Sequence, residues 1–140
     1  MKRRLPAEWA PQDAVLLAWP HEQSDWAPCL DEVVPVFAEI ARAINRYETV
    51  LIVAPEPQRV REILAEAGCA SGRISIYSVP TNDTWCRDFG PIAVFDEEKP
   101  RLLDFGFNGW GLKFAADRDN RVNRQLHAAG AFGDTPLDVV

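Results

Sequence analysis

Residues 49–79 read TVLIVAPEPQRVREILAEAGCASGRISIYSV, and this stretch indicates the fold class because a predicted strand, helix and second strand follow one another. Thr49–Val53 is apolar and β-branched, which predicts a buried strand. Pro57 favours the start of a helix whose apolar positions lie on one side, and Gly68 is placed to end it. The apolar run at 74–79 then predicts the next strand.

The same alternation extends toward the amino terminus. Ala14–Trp19 is a short apolar run ended by a proline, and it predicts another buried strand. From Leu30 to Ile44 the apolar residues recur at helical spacing, which predicts a helix of roughly four turns with one buried face. Pro35 should bend this helix or remove one of its hydrogen bonds.

Toward the carboxyl terminus, Ile92–Phe95 and Arg101–Phe105 flank an acidic turn and predict a β-hairpin. A helix is predicted from Asp117 to near Gly130, and Leu137–Val140 predicts the beginning of a strand. The residues expected to face inward from that helix are Val122, Leu126 and Ala129. Strands and helices alternate throughout, so the predicted fold class is α/β, with residues 1–140 forming part of one domain without an internal boundary.

Composition limits the class of protein. The chain has 140 residues, of which 47% are apolar, and a formal net charge of −6. This length is enough for a hydrophobic core, and an acidic chain without a basic stripe argues against nucleic acid as a partner. We interpret Lys2, Arg3 and Arg4 as a solvated terminus. No apolar run is long enough to cross a membrane and the first residues lack the apolar part of a signal peptide, so a cytoplasmic protein is expected.

Cysteine usage agrees with that compartment. Cys29, Cys69 and Cys86 are odd in number and lack paired CxxC spacing, so we expect reduced thiols and neither a disulfide framework nor a zinc site.

The chemistry is concentrated in residues 80–91, PTNDTWCRDFGP, which we call the polar loop. Predicted strands on both sides should hold it firmly. Asp88 is the main candidate, because a carboxylate beside the indole of Trp85 suits a planar cation such as guanidinium, which donates two parallel N–H bonds and packs on an aromatic face. Two alternatives stay open: Asp88 could cap the turn or pair with Arg87, and Trp85 could belong to the core.

Four further residues are candidates for a pocket rim. Asn82 and Asp83 could line the site or form Asx turns with their own backbone. Asn108 and Trp110 belong to residues 105–111, FGFNGWG, which we call the aromatic loop. Its glycines allow unusual backbone angles, and its aromatic rings could shape a rim or pack beneath the loop. The spacing of these glycines does not match a phosphate-binding loop.

No nucleophile is evident from spacing. Cys86 would need a histidine or another group that lowers its thiol pKa, and neither His21 nor His127 is tied to it by a motif. We therefore interpret Cys86 as structural and both histidines as surface or capping residues. Taken alone, these residues predict a cation-binding site without the groups that would carry out a reaction.

The chain resembles the agmatine deiminases, within the bacterial peptidylarginine deiminase-like group of guanidine-modifying enzymes. The resemblance covers essentially all 140 residues and is carried by LPAEW (5–9), LAWPH (17–21), TNDTWCRDFGP (81–91) and DFGFNGWGLK (104–113). It implies a pentein-type α/β propeller of five ββαβ modules, of which about two are present. It also implies hydrolysis of agmatine to N-carbamoylputrescine and ammonia for putrescine and polyamine synthesis, without a metal or organic cofactor.

The resemblance assigns roles to two residues. Asp88 matches the catalytic, substrate-binding acid that grips the guanidinium, and Trp85 matches the pocket-lining tryptophan. In family members a cysteine thiolate attacks the central guanidinium carbon and a histidine moves protons, and both lie in later segments. Cys86 does not match that nucleophile. We therefore expect these 140 residues alone to be inactive.

Two other functions remain as alternatives. The substrate could be free or peptidyl arginine, but recognition of its carboxylate should require a cation near the aromatic loop. Lys113 is the nearest in sequence, so agmatine is preferred. Alternatively, the chain could be a truncated, non-catalytic guanidinium-binding or pairing module. An open propeller would expose strand edges and apolar faces, so dimerisation or aggregation is expected.

Overall fold

Two β-sheets and the helices packed against them form the structure, a computed structural model that describes residues 2–140. The strands are β1 (Arg3–Arg4), β2 (Ala14–Ala18), β3 (Thr49–Ala54), β4 (Ile74–Ser78), β5 (Ile92–Asp96), β6 (Lys99–Asp104) and β7 (Leu137–Val139). The helical segments are α1 (Leu30–Asn45), α2 (Pro57–Glu66), α3 (Cys86–Phe89), α4 (Gly109–Leu112) and α5 (Val122–Ala128). All four residues of α4 have positive φ, so it is a single left-handed turn. Short 3-10 turns lie at Ala27–Cys29, Ser71–Arg73 and Asp119–Arg121.

The first sheet has the order β2-β3-β4, and all of its strands are parallel. Parallel neighbours need crossover connections, which α1 and α2 supply. Side chains alternate between the two faces of the sheet. Val50 and Ile52 pack with Trp19 in the core beneath α1 and α2, whereas Val53 and Ala18 belong to a second core on Phe89, Val122 and Leu126. Both faces are therefore covered, which explains the nearly continuous apolar strands in the sequence.

The helix boundaries follow from local signals. Helix α1 runs through Pro35 as one element of 16 residues, with acidic side chains in its first turn. Helix α2 begins with Pro57, and Gly68 follows its end with φ +78°, a left-handed angle that favours glycine. The two predicted helices are confirmed, and the bend or lost hydrogen bond expected at Pro35 stays a prediction.

The second sheet has the order β1-β5-β6-β7. Strands β5 and β6 form the predicted hairpin, closed by a turn at Glu97 and Glu98 with φ of 49° and 68°. Strand β7 returns parallel to β6 after α5, so β5, β6, α5 and β7 have the order ββαβ. Among residues 2–140, no helix combines the length and apolar character needed to cross a bilayer.

The amino terminus is solvent-exposed as interpreted, but its backbone is also paired in a sheet, which the sequence did not indicate. Arg3 and Arg4 form strand β1, which is antiparallel to β5. The Arg3 guanidinium lies 2.8 Å from the Asp96 carboxylate, and that of Arg4 lies 2.9 Å from Glu98. These hydrogen bonds lower the pKa of both carboxyls. The open edge of the hairpin gives the terminal backbone a pairing partner, a long-range contact that charge counting does not reveal.

Two smaller predictions also need correction. Ala129 is exposed, because it is the carboxyl-terminal cap residue of α5, beyond the turn that packs on the core, whereas Val122 and Leu126 are fully buried. The polar loop is not irregular throughout, since α3 forms one helical turn within it.

Candidate functional site

The polar loop begins just beyond the carboxyl end of β4. In the parallel sheet, this is also the edge where the chain leaves β2 and β3. Ligands of open α/β sheets commonly bind at the carboxyl ends of the strands. The sheet therefore places the polar loop where a ligand site is expected.

Trp85 and Asp88 lie on one helical turn. Trp85 is the residue before α3, and its carbonyl oxygen accepts a 3.0 Å hydrogen bond from the Asp88 backbone N–H. The indole is 54% exposed and Asp88 is also exposed. Among residues 2–140, no donor is hydrogen-bonded to the Asp88 carboxylate. Both groups are therefore accessible to a ligand.

The alternative ion pair between Arg87 and Asp88 does not form. The Arg87 guanidinium instead lies 3.3 Å from the Glu8 carboxylate, and both side chains are almost fully exposed. Exposed pairs of this kind contribute little stability. Arg87 therefore leaves Asp88 available for other partners.

Asp83 is buried and does not stand on an open rim. Its Oδ1 accepts hydrogen bonds from the backbone N–H groups of Thr84 at 2.6 Å and Trp85 at 3.3 Å. Its Oδ2 accepts a 2.7 Å bond from the indole Nε1–H of Trp110. The Asx-turn alternative describes the contacts of Asp83, which organises the polar loop from within.

Trp110 joins the aromatic loop to the polar loop. Its backbone has φ 59° and ψ 49°, and its ring packs edge-on against Phe107 with centroids 5.6 Å apart. The preceding Gly109 has φ +62°, and a Cβ there would lie 2.1 Å from the carbonyl oxygen of Phe114. Only glycine fits this approach, so Gly109 permits the turn that presents Trp110.

The two asparagines bond to the protein backbone. Asn82 Oδ1 accepts from the N–H groups of Arg118 at 2.8 Å and Asp119 at 3.1 Å. Asn108 Oδ1 accepts a 2.9 Å bond from the N–H of Gly111 and thereby caps α4. Both side chains fix loop geometry, and any contact they make with a ligand remains a prediction.

Asp119 is a residue of this region that the sequence did not reveal. It is fully buried, and its Oδ1 accepts hydrogen bonds from the backbone N–H groups of Asn82 at 2.7 Å and Asp83 at 3.2 Å. Burial raises its pKa to about 6, against the effect of those two bonds. Its sequence position suggested only the start of a helix, because no local pattern marks a partner 37 residues away.

Cys86 has a structural environment. Its Sγ–H donates to the carbonyl oxygen of Leu16 at 3.1 Å, and burial raises the pKa of the thiol. A raised pKa disfavours the reactive thiolate, so these contacts support the structural interpretation. The residues described contain no group of three histidine, cysteine or acidic side chains that could hold a metal ion.

The histidines also fit the roles expected from the sequence. His21 is half-buried, its Nδ1 accepts a 3.1 Å bond from the N–H of Gln23, and its Nε2 lies 3.0 Å from Thr81 Oγ1. These contacts favour the neutral ring with its proton on Nε2, and burial lowers the His21 pKa. His127 is exposed on α5.

Two clefts of the structure lie away from Asp88, where the sequence led us to expect a cavity. A cleft of about 240 Å³ lies between α1, α2 and the ends of β2 and β3, and neither Trp85 nor Asp88 lines it. A second cleft lies beside the hairpin turn, at residues 96–101 and 134–136. Trp85 and Asp88 are exposed at the surface, whereas Phe89 of the same helical turn is buried in the second core.

Comparison with known proteins identifies the fold. A solved structure of a variant of C. jejuni agmatine deiminase with substrate bound matches 99% of this chain and 40% of its own, with a TM-score of 0.88 and 33% identity. A Porphyromonas gingivalis structure described as a candidate arginine deiminase matches 99% of this chain and 40% of its own, with a TM-score of 0.86 and 46% identity. The predicted fold class is confirmed: the chain has part of the pentein-type α/β propeller.

Sequence comparison gives the family. Agmatine deiminase of Pseudomonas aeruginosa (strain LESB58) is 34% identical over 129 residues, which are 88% of this chain and 34% of that protein. The chain therefore spans about a third of the length of the curated relatives it matches. The profile of the Porphyromonas-type peptidyl-arginine deiminases matches residues 4–138, and the chain belongs to that family.

Proposed function

We propose that the complete protein hydrolyses agmatine to N-carbamoylputrescine and ammonia, and that residues 1–140 are the amino-terminal part of its single catalytic domain. The observation that carries this proposal is the pairing of an accessible carboxylate on Asp88 with an exposed indole on Trp85, one turn apart. Relatives named agmatine deiminase support the choice of reaction. A cytoplasmic role in putrescine and polyamine synthesis belongs to the same proposal.

The chemistry follows from the shape of guanidinium. Asp88 accepts two N–H bonds from the planar cation, and the face of Trp85 offers a cation–π contact. Holding the cation in this way fixes its central carbon for attack. Overall, water supplies the oxygen of the new ureido group, one C–N bond breaks, and the nitrogen leaves as ammonia without any redox change.

The attacking group is proposed to lie outside residues 1–140. Cys86 donates its thiol proton to Leu16, and its raised pKa keeps it protonated near neutral pH. His21 is bonded to Thr81 and Gln23, and neither bond leads to Cys86. We therefore expect the isolated 140-residue chain to release no ammonia from agmatine.

Arginine remains the rival substrate within the same reaction class. The structure brings Arg118 to the polar loop, where its backbone N–H bonds Asn82 and its guanidinium bonds Gln23. Arg118 is therefore a cation close to the polar loop, and its distance in sequence from the aromatic loop did not reveal it. The preference for agmatine then rests on the named relatives. Equal concentrations of agmatine, free arginine and a peptide containing arginine decide between them.

A non-catalytic pairing module is the alternative from another class. Trp9, Leu112 and Phe114 are exposed by 90%, 86% and 60%, and β7 is an edge strand of its sheet. Such surfaces favour association with another chain. Size-exclusion chromatography of the complete protein tests homo-oligomer formation. Guanidinium binding without turnover supports the module.

The decisive experiment measures ammonia and ureido product from agmatine with the complete protein. Asp88→Asn should lower kcat/KM by at least about a hundredfold, because the amide loses the charge and one acceptor for guanidinium. Asp13→Asn is the matched control, since Asp13 is exposed and precedes β2 at the opposite end of the strands. Absence of product from the wild-type protein, or equal activity of both variants, contradicts the proposal.

A further inference from the structure

Asp119 holds the polar loop from beneath. Its Oδ1 accepts two backbone N–H bonds, at 2.7 Å from Asn82 and 3.2 Å from Asp83, and its side chain is fully buried. Asn82 returns the contact, because its own Oδ1 accepts from the backbone N–H groups of Arg118 and Asp119. Residues 82–83 and residues 118–119, which are far apart in sequence, are thus joined by hydrogen bonds in both directions.

This hydrogen-bond network extends to the residues proposed to bind guanidinium. Asp83, whose N–H is held by Asp119, accepts bonds from the N–H of Trp85 and the indole of Trp110. Asp88 is connected to the same network, because its backbone N–H donates a hydrogen bond to the Trp85 carbonyl oxygen in α3. A displacement of the Asn82–Asp83 backbone would therefore be passed on to Trp85 and Asp88.

We propose that Asp119 is a positioning residue, whose ionised carboxylate fixes the Asn82–Asp83 backbone and through it the orientation of Trp85 and Asp88 toward the guanidinium group. This inference rests on the function proposed above. Asp119 touches no substrate in this scheme and acts only through the loop.

The charge of Asp119 matters because N–H bonds to a carboxylate are stronger than those to a neutral carboxyl. Within residues 2–140 its Oδ2 has no hydrogen-bond partner, so this oxygen can take up a proton while Oδ1 keeps both bonds in weakened form. The facing charged groups are Asp83 from the polar loop and Asp117 from its own segment, and both raise the Asp119 pKa. Arg118 is adjacent in sequence, with its guanidinium bonded to Gln23, and His21 contacts the loop through Thr81 as a neutral ring.

The test uses the complete protein and the variant Asp119→Asn, which keeps the shape but cannot ionise. We expect the KM for agmatine at pH 8 to rise roughly tenfold, and the acid limb of kcat/KM near pH 6 to disappear. Asp117→Asn is the matched control: its exposed carboxylate contacts only the Asn82 side chain, at 3.2 Å, so KM should stay within about twofold. The limb should remain, moved to slightly lower pH because Asp117 raises the Asp119 pKa. A purely structural role would change thermal stability without removing the acid limb.

A second measurement separates failure of this inference from failure of the proposed function. The indole ¹H–¹⁵N resonances of Trp85 and Trp110 should titrate in the wild-type protein with a midpoint near pH 6, and no variant or substrate is needed. If agmatine is not hydrolysed but both resonances titrate, the proposed function fails and the positioning role stands. The positioning role of Asp119 is contradicted if the two resonances do not move between pH 5 and 7. It is also contradicted if the Asp119→Asn enzyme keeps the wild-type KM and pH profile.

Discussion

The indole nitrogen of Trp110 lies 2.7 Å from the Oδ2 of Asp83 and donates its hydrogen to that buried carboxylate. This one bond joins the aromatic loop to the polar loop across 27 residues. The backbone of Trp110 is left-handed, with φ 59°, as is that of the preceding Gly109, with φ +62°.

Replacing Trp110 by phenylalanine removes that donor and leaves Asp83 Oδ2 buried without it. We expect the free energy of unfolding to fall by about 1–3 kcal/mol. Trp85→Phe is the matched control, because the Trp85 indole is 54% exposed and donates no hydrogen bond within the described chain. Urea denaturation of the complete protein measures the free energy of unfolding of both variants. A Trp110→Phe variant no less stable than Trp85→Phe would contradict the role of the bond.

Comparing Gly109→Ala with Gly68→Ala separates the cost of a steric clash from the cost of backbone strain. A methyl group at 109 would lie 2.1 Å from the Phe114 carbonyl oxygen, whereas at Gly68, with φ +78°, it would meet nothing within 4 Å. Gly68→Ala should therefore cost only about 1 kcal/mol of strain, and Gly109→Ala at least about 2 kcal/mol. Thermal unfolding of the two variants side by side provides the measurement, and equal losses would show that the clash is relieved without cost.

Asp119 should make stability fall as pH rises. Its folded pKa of about 6 exceeds the ordinary value of 3.8, so between these values the folded state binds more protons than the unfolded state. The difference of about two pKa units corresponds to about 3 kcal/mol lost between pH 4 and 7. His21 acts in the opposite direction, because its lowered pKa makes the unfolded state bind more protons near pH 6.5.

The variant Asp119→Asn isolates this contribution, since His21 is present in both proteins. Stability of the wild type minus that of the variant, measured by urea denaturation at several pH values, should decrease from pH 4 to 7. A difference that stays constant with pH would show that Asp119 does not titrate in this range.

Cys86→Ser should keep the activity of the complete protein. The hydroxyl can donate to the Leu16 carbonyl oxygen as the thiol does, and the raised thiol pKa argues against a nucleophilic role. We expect kcat within about twofold of wild type and a modest loss of thermal stability. Loss of turnover in a folded Cys86→Ser protein would identify Cys86 as the attacking group.

Local patterns were sufficient for the secondary structure of the first sheet. The β-branched run that became β3, the helical spacing that became α1, and the glycine after α2 each act within a few residues of themselves. The ends of α5 were less predictable, because the helix stops before Ala129 although the apolar spacing continues. Three polar residues and a tryptophan marked the polar loop correctly as a region, namely Asn82, Asp83, Asp88 and Trp85, but spacing could not assign their hydrogen bonds.

Local patterns of residues were enough to predict the α/β alternation, the hairpin and the proximity of Trp85 to Asp88, since periodicity, turn residues and one helical turn are local properties. Long-range packing was needed to show that Arg3 and Arg4 pair with β5, that Asp83 is buried against Trp110, and that Asp119 supports Asn82. These contacts join residues from 27 to 93 positions apart. Such partners are chosen by how the sheets and loops pack together, which no short pattern of residue types records.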